Sequence, residues 1–498
     1  MNMLSKNVAA STLPQIINIL TNLILPTLII TSYGSEINGL VSSTRSIVAY
    51  IALVGAGITT AATQSLYKPV AEGDDDTVKG MIHAINKMFN KYGTIYCAIA
   101  VAFALVYPFI IKSDIENYTV ILLMIVMSLS GASEFFIIGR NTALLYANQK
   151  TYVCTTVQAI SLLISLILAI IMLEVKANIV LVQLAVSLVY VFRGVLLTGY
   201  VKKMYPELSK YKETPPIKQA VAKRKDAMIH QLSGLAVNSS QTIILTIIVG
   251  LNAASIYTVY NIVFSGLQSI CANLSAAVTP FLGKELALEK KERLHTMYNL
   301  VEFAFFNIVA FVYSVTAIMI VPFVKLYTWG ADINYEYPLF ATIFVFTSAF
   351  YILKMPGSSI INISGHFRET RSRALIEATI AVTASVIITV FYGLIGVVIG
   401  TGLALAWRCI DTIIYTNKHI LECKNKRSLT RLLRVLIIIG LFAYSQVFYI
   451  VNVSTVTGWI IYAIIASAAV AIVLIINALI FDRESVKETV RILKHKHL

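Results

Sequence analysis

The chain has 498 residues, of which 57% are hydrophobic and only 13% are charged. Soluble domains carry about 25% charged residues, so this composition excludes an ordinary soluble protein, and the mean hydropathy of +0.78 agrees. The net charge of +15 would suit nucleic acid. However, the basic residues cluster between apolar segments, which excludes nucleic acid and predicts contact with membrane lipids instead.

Fourteen apolar stretches are long enough to cross a bilayer, whose core of about 30 Å needs roughly 20 helical residues. They lie at 8–32, 38–66, 93–111, 118–147, 152–173, 178–201, 228–249, 254–282, 298–325, 338–364, 374–392, 395–416, 432–451 and 457–480. The sequence therefore predicts an all-α polytopic membrane protein with 14 transmembrane helices, the first of them uncleaved. The five cysteines are scattered without metal-ligand or redox spacing, so we expect neither a disulfide framework nor a metal site.

The basic residues predict the orientation. Of the 40 Lys and Arg residues, 32 lie at the N-terminus, in or at the edge of every second gap and in the tail, whereas three lie in or at the edge of the opposite gaps and five lie deep within the spans. Cytoplasmic loops carry the excess of Lys and Arg. Both termini are therefore predicted to be cytoplasmic, in a protein of the plasma (inner) membrane.

The two halves of the chain repeat each other. The stretch 34–68, a short outer turn and one long apolar helix, matches 250–284 without a gap, and 186–203 matches 401–418 at nearly the same offset. Each copy has an even number of helices, which predicts parallel repeats about an axis along the membrane normal, with a cavity between them. The predicted parts are an N-lobe at 1–203, a basic cytoplasmic linker at 204–226, a C-lobe at 227–420, and two extra helices with a basic tail at 421–498.

Five cations lie inside the apolar spans and away from their ends, and each costs about 2.5–3.5 kcal/mol near the bilayer centre. They are Arg45, Arg140, Arg193, Lys354 and Arg408. Such residues usually face the protein interior or a water-filled cavity, so we predict that they bind substrate. For Arg140, Arg193 and Arg408 the alternative is a structural role in which the side chain snorkels to the cytoplasmic side.

Few acidic residues accompany these cations. Asp411 follows Arg408 by three residues, the spacing of helical neighbours, which predicts a structural ion pair. Glu134 is the candidate for the group that titrates or binds an ion to couple transport, and the alternative is a structural partner for Arg140. Lys354 precedes Pro356, where we predict a bend. A cavity rich in cations and poor in acids favours an anionic substrate, and the planar fork of arginine suits phosphate.

The stretch YGSEINGLVSSTRSIVAYIALVGAGITTAATQSLYK at 33–68, with the repeat ending SAAVTPFLGK, resembles a family of flippases. It is similar to the polysaccharide (O-antigen and capsule repeat-unit) flippase branch of the multidrug/oligosaccharidyl-lipid/polysaccharide exporter superfamily. The resemblance covers the first twelve helices and implies a V-shaped pair of six-helix lobes. It implies that a polyprenyl-pyrophosphate-linked oligosaccharide crosses to the outer leaflet by alternating access, for surface polysaccharide biosynthesis. Members tend to line the cavity with cations, and Arg45 fits that pattern.

These observations together predict a flippase rather than an enzyme, with no cofactor and with Na⁺ or H⁺ as the candidate coupling ion. We expect a monomer, with other polysaccharide-assembly proteins as candidate partners. A multidrug exporter of the same superfamily is the first alternative, although it would need acids in the cavity to meet cationic drugs. A lipid II flippase of the same superfamily is a further alternative, although lipid II flippases carry arginines on the first helix that are missing here. A glycan polymerase is a further alternative, but it would need a long outer loop, which the sequence does not predict. A non-transporting scaffold also stays open.

Overall fold

The computed structural model describes the chain except for residues 1–2, 209–213, 218–233, 238, 289–290, 449–454 and 495–498. The described residues form helices and connecting turns without strands, so the predicted all-α fold is confirmed. They divide into two compact units, Met1–Thr258 with Ala331–Ile333, and Val259–Gly330 with Asn334–Leu498. Much of the predicted linker at 204–226 lies outside the described residues.

The first unit contains nine helices that lie wholly within it among the described residues, and the start of a tenth. They are α1 (Met3–Tyr33), α2 (Ser35–Ala52), α3 (Ile58–Glu72), α4 (Asp75–Ile110), α5 (Asn117–Ser133), α6 (Gly139–Ala147), α7 (Thr151–Glu174), α8 (Ile179–Met204), α9 (Ser240–Ile248) and the start of α10 (Leu251–Ala287). The remainder of α10 belongs to the second unit. That unit continues with α11 (Lys291–Tyr327), α12 (Pro338–Leu353), α13 (Met355–Ile363), α14 (Phe367–Tyr392), α15 (Leu394–His419), α16 (Lys426–Phe448), α17 (Val456–Phe481) and α18 (Arg483–Lys494).

Within the described part of the chain, 12 helical stretches are long and apolar enough to cross a membrane. Residues 228–233 and 238 of the predicted span 228–249 lie outside the described residues, and the rest includes α9, which is too short to be among the 12. The predicted span 432–451 corresponds to α16, which begins with Lys426, Arg427, Arg431 and Arg434 and is not among the 12. The count of 14 therefore stays a prediction.

Element boundaries recur at the repeat offset of the sequence. Gly34 and Gly250 have positive φ angles of 89° and 127° directly before α2 and α10. Helix α5 gives way to a π-helical turn, Glu134–Ile138, and its counterpart α12 ends at Leu353 before α13 begins at Met355. The helix is therefore interrupted just before Pro356, where the sequence predicts a bend, and both halves interrupt the same helix in corresponding regions.

One pair of repeated helices differs, and here the sequence prediction was wrong. The long helix predicted at 38–66 is broken into α2 and α3 by a 3₁₀ turn, Leu53–Gly55, and by Gly57, whose φ of 76° is left-handed. Glycine adopts that conformation without the steric cost that a Cβ brings. The corresponding positions of the second copy are Cys271 and Asn273, and α10 runs through them without interruption. The break is therefore a property of the first half alone.

Close helix packing in the second unit relies on small residues, since lipid tails give apolar helices no hydrophobic reason to associate. Gly396 and Gly400 on α15 form a Gly-x-x-x-Gly spacing. A Cβ at Gly400 would lie 2.2 Å from the backbone nitrogen of Ser385, and one at Gly396 would lie 2.5 Å from the backbone of Ile388. Consequently α14 and α15 meet backbone to backbone, which brings their polar side chains within reach of each other.

Candidate functional site: a polar helix face, a broken-helix cavity and a buried charge network

Helix α2 presents a polar face that contains an exposed arginine. Ser42, Arg45, Ser46 and Ala49 follow the spacing of one helical face, and Arg45 is exposed whereas the other three are half-buried. No large apolar side chain of α2 is exposed, although lipid-facing helices expose such side chains. Within the described residues Arg45 has no ion-pair partner. This combination is typical of a helix face that lines water rather than lipid.

The start of α2 is fixed by a carboxylate from a distant loop. The backbone N–H of Ser35 donates to Asp332 Oδ1 at 3.0 Å and to Oδ2 at 3.2 Å, and the Ser35 hydroxyl also donates to Oδ1. A carboxylate is favourable at a helix N-terminus because the unpaired N–H groups there carry partial positive charge. Further along, Asn38 Nδ2 donates to Ser255 Oγ at 2.8 Å. These contacts fix the rotation of α2 and therefore the direction of its polar face.

A cavity of about 440 Å³ lies between the break after α2 and the π-helical turn. Gly55, Ala56 and Gly57 line one side, and Glu134 and Phe135 line the other. A Cβ at Gly55 would lie 2.1 Å from the ring of Phe135, so only glycine permits this approach. π-Helical turns are rare and are frequent at functional sites. The break and the π turn together place one carboxylate in a mainly apolar cavity.

Glu134 has no ion-pair partner within 4 Å among the residues that the structure describes. The charge that acts on it electrostatically is Arg193 of α8. Arg193 lines a separate cavity of about 40 Å³, and its Nε finds no described hydrogen-bond partner there. The predicted cation Arg140 lies on α6, where its Nη1 donates to Asn86 Oδ1 at 3.0 Å.

The predicted cations Lys354 and Arg408 lie in a buried charge network of the second unit. Lys354 Nζ is ion-paired with Glu377 Oε1, and Arg408 Nε lies 3.3 Å from Glu377 Oε2. Arg408 Nη1 lies 2.7 Å from Asp411 Oδ2, and Arg373 Nη1 contacts Asp411 Oδ1. The network joins three cations and two carboxylates. Most of the positive charge of Lys354 and Arg408 is therefore neutralised within the protein.

Sequence reasoning missed Glu377, which links two of the cations. No acid lies within one helical turn of Lys354 in the sequence, and Glu377 lies on the next long helix, α14. The available signal was the position of Glu377 inside the predicted span 374–392, where an isolated carboxylate is as costly as an isolated cation. Glu302, which is 1% exposed on α11, was missed for the same reason.

No protein-family model matches the chain, and no curated protein matches it by sequence. The fold is similar to an inward-facing multidrug resistance MATE family transporter of the MOP superfamily, with a TM-score of 0.65, 14% identity, 87% of this chain covered and 98% of that one. It is also similar to the lipid II flippase MurJ in an inward closed conformation, with a TM-score of 0.67, 11% identity and coverages of 96% and 99%. An outward-facing MATE family transporter gives a TM-score of 0.54 at 15% identity, with coverages of 88% and 96%.

Identities this low establish the fold alone. The chain has the fold of MOP-superfamily transporters, and its similar structures are transporters and a flippase rather than enzymes. The match to the lipid II flippase covers 96% of this chain, so the residues it leaves unmatched are too few to include both α16 and α17. The match to the inward-facing MATE family transporter covers 87% of this chain, and its unmatched residues are numerous enough to include both helices. Together with the 12 apolar helices, this fold makes the protein a multi-pass integral membrane protein.

Proposed function

We propose that the protein is a flippase that carries a polyprenyl-pyrophosphate-linked oligosaccharide from the cytoplasmic to the outer leaflet of the plasma membrane. The observation that carries this proposal is the polar face of α2, with an exposed arginine inside a membrane-spanning helix. Arg45 binds the pyrophosphate while the polyprenyl tail stays in lipid. No covalent step is needed, since the head group only has to cross and be released.

Arg45 is the strongest of the predicted substrate-binding residues because its charge is not matched within the described part of the protein. A guanidinium binds phosphate oxygens in pairs and is always charged. Lys354 and Arg408, by contrast, are held by Glu377 and Asp411. Their main role is to stabilise the second unit. They contribute to substrate binding only through the positive charge that the two carboxylates of the network leave unbalanced.

The Glu134 cavity is the proposed site of energy coupling. A carboxylate in an apolar cavity takes up a proton or a cation such as Na⁺ more readily than one already paired with arginine. The break between α2 and α3 adjoins this cavity, so binding there bears directly on the helix that carries Arg45. An ion gradient would then set the direction of substrate movement.

Export of cationic drugs is the second candidate function, and Glu134 is the observation that favours it. A carboxylate in a mainly apolar cavity of about 440 Å³ has the composition that suits a hydrophobic cation. Drug export predicts that the protein transports a cationic dye and that replacement of Arg45 changes the transport rate little. The flippase proposal predicts the reverse.

A vesicle assay separates the two functions. The purified full chain is placed in vesicles with a fluorescent polyprenyl-pyrophosphate-linked oligosaccharide, and inward and outward label are distinguished by a membrane-impermeant quencher. We expect movement by the unaltered protein, loss of at least about tenfold in rate for Arg45→Ala, equivalent to about 1.4 kcal/mol, and partial activity for Arg45→Lys. The matched control is Lys68→Gln, which removes one charge from a side chain that is 83% exposed.

Two results would overturn the flippase proposal. The first is an unchanged rate of oligosaccharide movement in Arg45→Ala. The second is movement of a cationic dye, but of no lipid-linked oligosaccharide, by the unaltered protein.

A further inference from the structure

A second, larger cavity of about 870 Å³ lies in the second unit, where the first turns of α11 and α16 meet the junction of α17 and α18. Six basic side chains line it: Lys424, Lys426, Arg427, Arg431, Arg434 and Arg483. The acids that line it are Asp482 and Glu484. It therefore carries a clear excess of positive charge, on the side of the membrane that the basic loops predict to be cytoplasmic.

Arg431 holds the wall of this cavity together. Its side chain is 3% exposed. Its Nε lies 2.7 Å from Asp482 Oδ1, its Nη1 lies 2.7 Å from Asn299 Oδ1 and 3.2 Å from Glu302 Oε2, and its Nη2 donates to Ser485 Oγ at 2.9 Å. All three nitrogens have partners, so Arg431 joins α11, α16 and the α17–α18 junction as a structural group.

Arg434, one helical turn later, is different. Its Nη2 lies 2.6 Å from Asp482 Oδ2, and its guanidinium stacks 5.0 Å from the ring centre of Phe481. Its Nε and Nη1 are buried and have no hydrogen-bond partner in the described structure. Buried donors without an acceptor are costly. A small rotation toward the cavity that Arg434 lines would let an anion there accept from them.

The rim of the cavity is apolar. Ile480 and Phe481 line it and are 55% and 63% exposed. They continue the exposed apolar surface of α17. A cationic pocket that opens onto an apolar helix surface matches a molecule with a phosphate at one end and hydrocarbon at the other. Basic pockets between transmembrane helices on the cytoplasmic side suit such head groups.

We propose that this cavity binds the phosphate group of an anionic membrane lipid, with Arg434 and Arg427 as the principal contacts and Arg431 as the positioning residue. The site uses none of the residues assigned to transport. The lipid-binding proposal can therefore be tested independently of the flippase proposal.

The test is binding of lipids to the purified full chain in detergent, followed by native mass spectrometry and by thermal unfolding. The probes are phosphatidylglycerol, the zwitterionic phosphatidylcholine, and inorganic phosphate as competitor. We expect phosphatidylglycerol to bind and to raise the unfolding midpoint. Arg434→Gln should weaken its binding by at least about tenfold, as expected for the loss of contacts to a charged group. Arg427 is exposed, so Arg427→Gln tests the same site at little risk to folding.

Three outcomes would overturn the proposal. They are equal binding of phosphatidylcholine, unchanged phosphatidylglycerol binding in both variants, and displacement of the lipid by millimolar inorganic phosphate, which would assign the cavity to a free anion. Lys68→Gln is the control for charge removal elsewhere and should bind as the unaltered protein does.

Discussion

Arg408 Nε lies 3.3 Å from Glu377 Oε2, and the other oxygen of the same carboxylate is paired with Lys354. One acid on α14 thus pairs with a cation at the junction of α12 and α13 and with a second cation on α15. The side chains of all three are 9–14% exposed. Buried cations without a counter-charge are costly. Glu377 stabilises both cations, as the carboxylate paired with Lys354 and as a second carboxylate for Arg408, which also pairs with Asp411.

Replacement of Glu377 by Gln should therefore destabilise the protein strongly. Removing one partner of a buried ion pair costs about 3–5 kcal/mol, and here two cations lose their shared carboxylate. The measurement is the midpoint of thermal unfolding of the purified protein in a fixed detergent. Adding Lys354→Met to Glu377→Gln should recover part of the loss, since it removes the cation whose carboxylate the first substitution deletes.

The matched control is Glu72→Gln. Glu72 pairs with Lys68 at 3.8 Å, but the two side chains are 58% and 83% exposed, and such surface pairs contribute about 0–1 kcal/mol. Equal unfolding midpoints for Glu377→Gln and Glu72→Gln would show that the buried network does not stabilise the second unit.

The close approach of Gly55 to Phe135 gives a second prediction. Gly55→Ala places a Cβ where the ring now lies, 2.1 Å from its nearest atom, and overpacking of this kind costs about 1–3 kcal/mol. The unfolding midpoint should fall, and Phe135→Leu added to Gly55→Ala should restore part of it. Gly199→Ala is the control, because nothing lies within 4 Å of a Cβ there. A stable Gly55→Ala protein would contradict the packing described around the cavity.

The sequence predicted a succession of apolar helices and an irregularity near Pro356, since both depend on local composition. It also placed Asp411 one helical turn from Arg408, the spacing at which the structure holds them 2.7 Å apart. It did not predict the break after α2, because a run of small residues suits close packing and a helix break equally well. The left-handed φ of Gly57 shows that the run breaks the helix. Nor did it predict the link from Glu377 to Lys354, since that depends on how α14 packs.

The stability of the first turn of α4 should depend on pH through the carboxyl group of Asp74. Its Oδ1 accepts from the backbone N–H of Thr77 at 3.0 Å, and the hydroxyl and N–H of Thr77 lower the pKa of the Asp74 carboxyl. A lowered pKa in the folded state means that the stabilisation is present above the unfolded pKa of about 3.9. It is lost as the pH falls through the lower folded value.

Hydrogen exchange of the amides in the first turn of α4 measures this effect. Asp74→Ala should speed their exchange at neutral pH, whereas Asp74→Ser keeps a capping oxygen and should remove only the pH dependence. Exchange in the unaltered protein should lose its extra protection only in acid. Equal protection of the unaltered protein and Asp74→Ala at neutral pH would disprove the cap.

Coupling through the Glu134 cavity gives the last prediction, which depends on the proposed function. Gln keeps the shape of Glu134 but neither titrates nor attracts a cation strongly. In the vesicle assay, Glu134→Gln should still move substrate down its own gradient, because Arg45 is untouched. It should no longer respond to an imposed proton or Na⁺ gradient, and comparison of the two gradients identifies the ion. Glu72→Gln is the control for loss of an exposed carboxylate. A normal gradient response in Glu134→Gln would remove Glu134 from the coupling step while leaving the flippase proposal intact, since downhill movement tests that proposal separately.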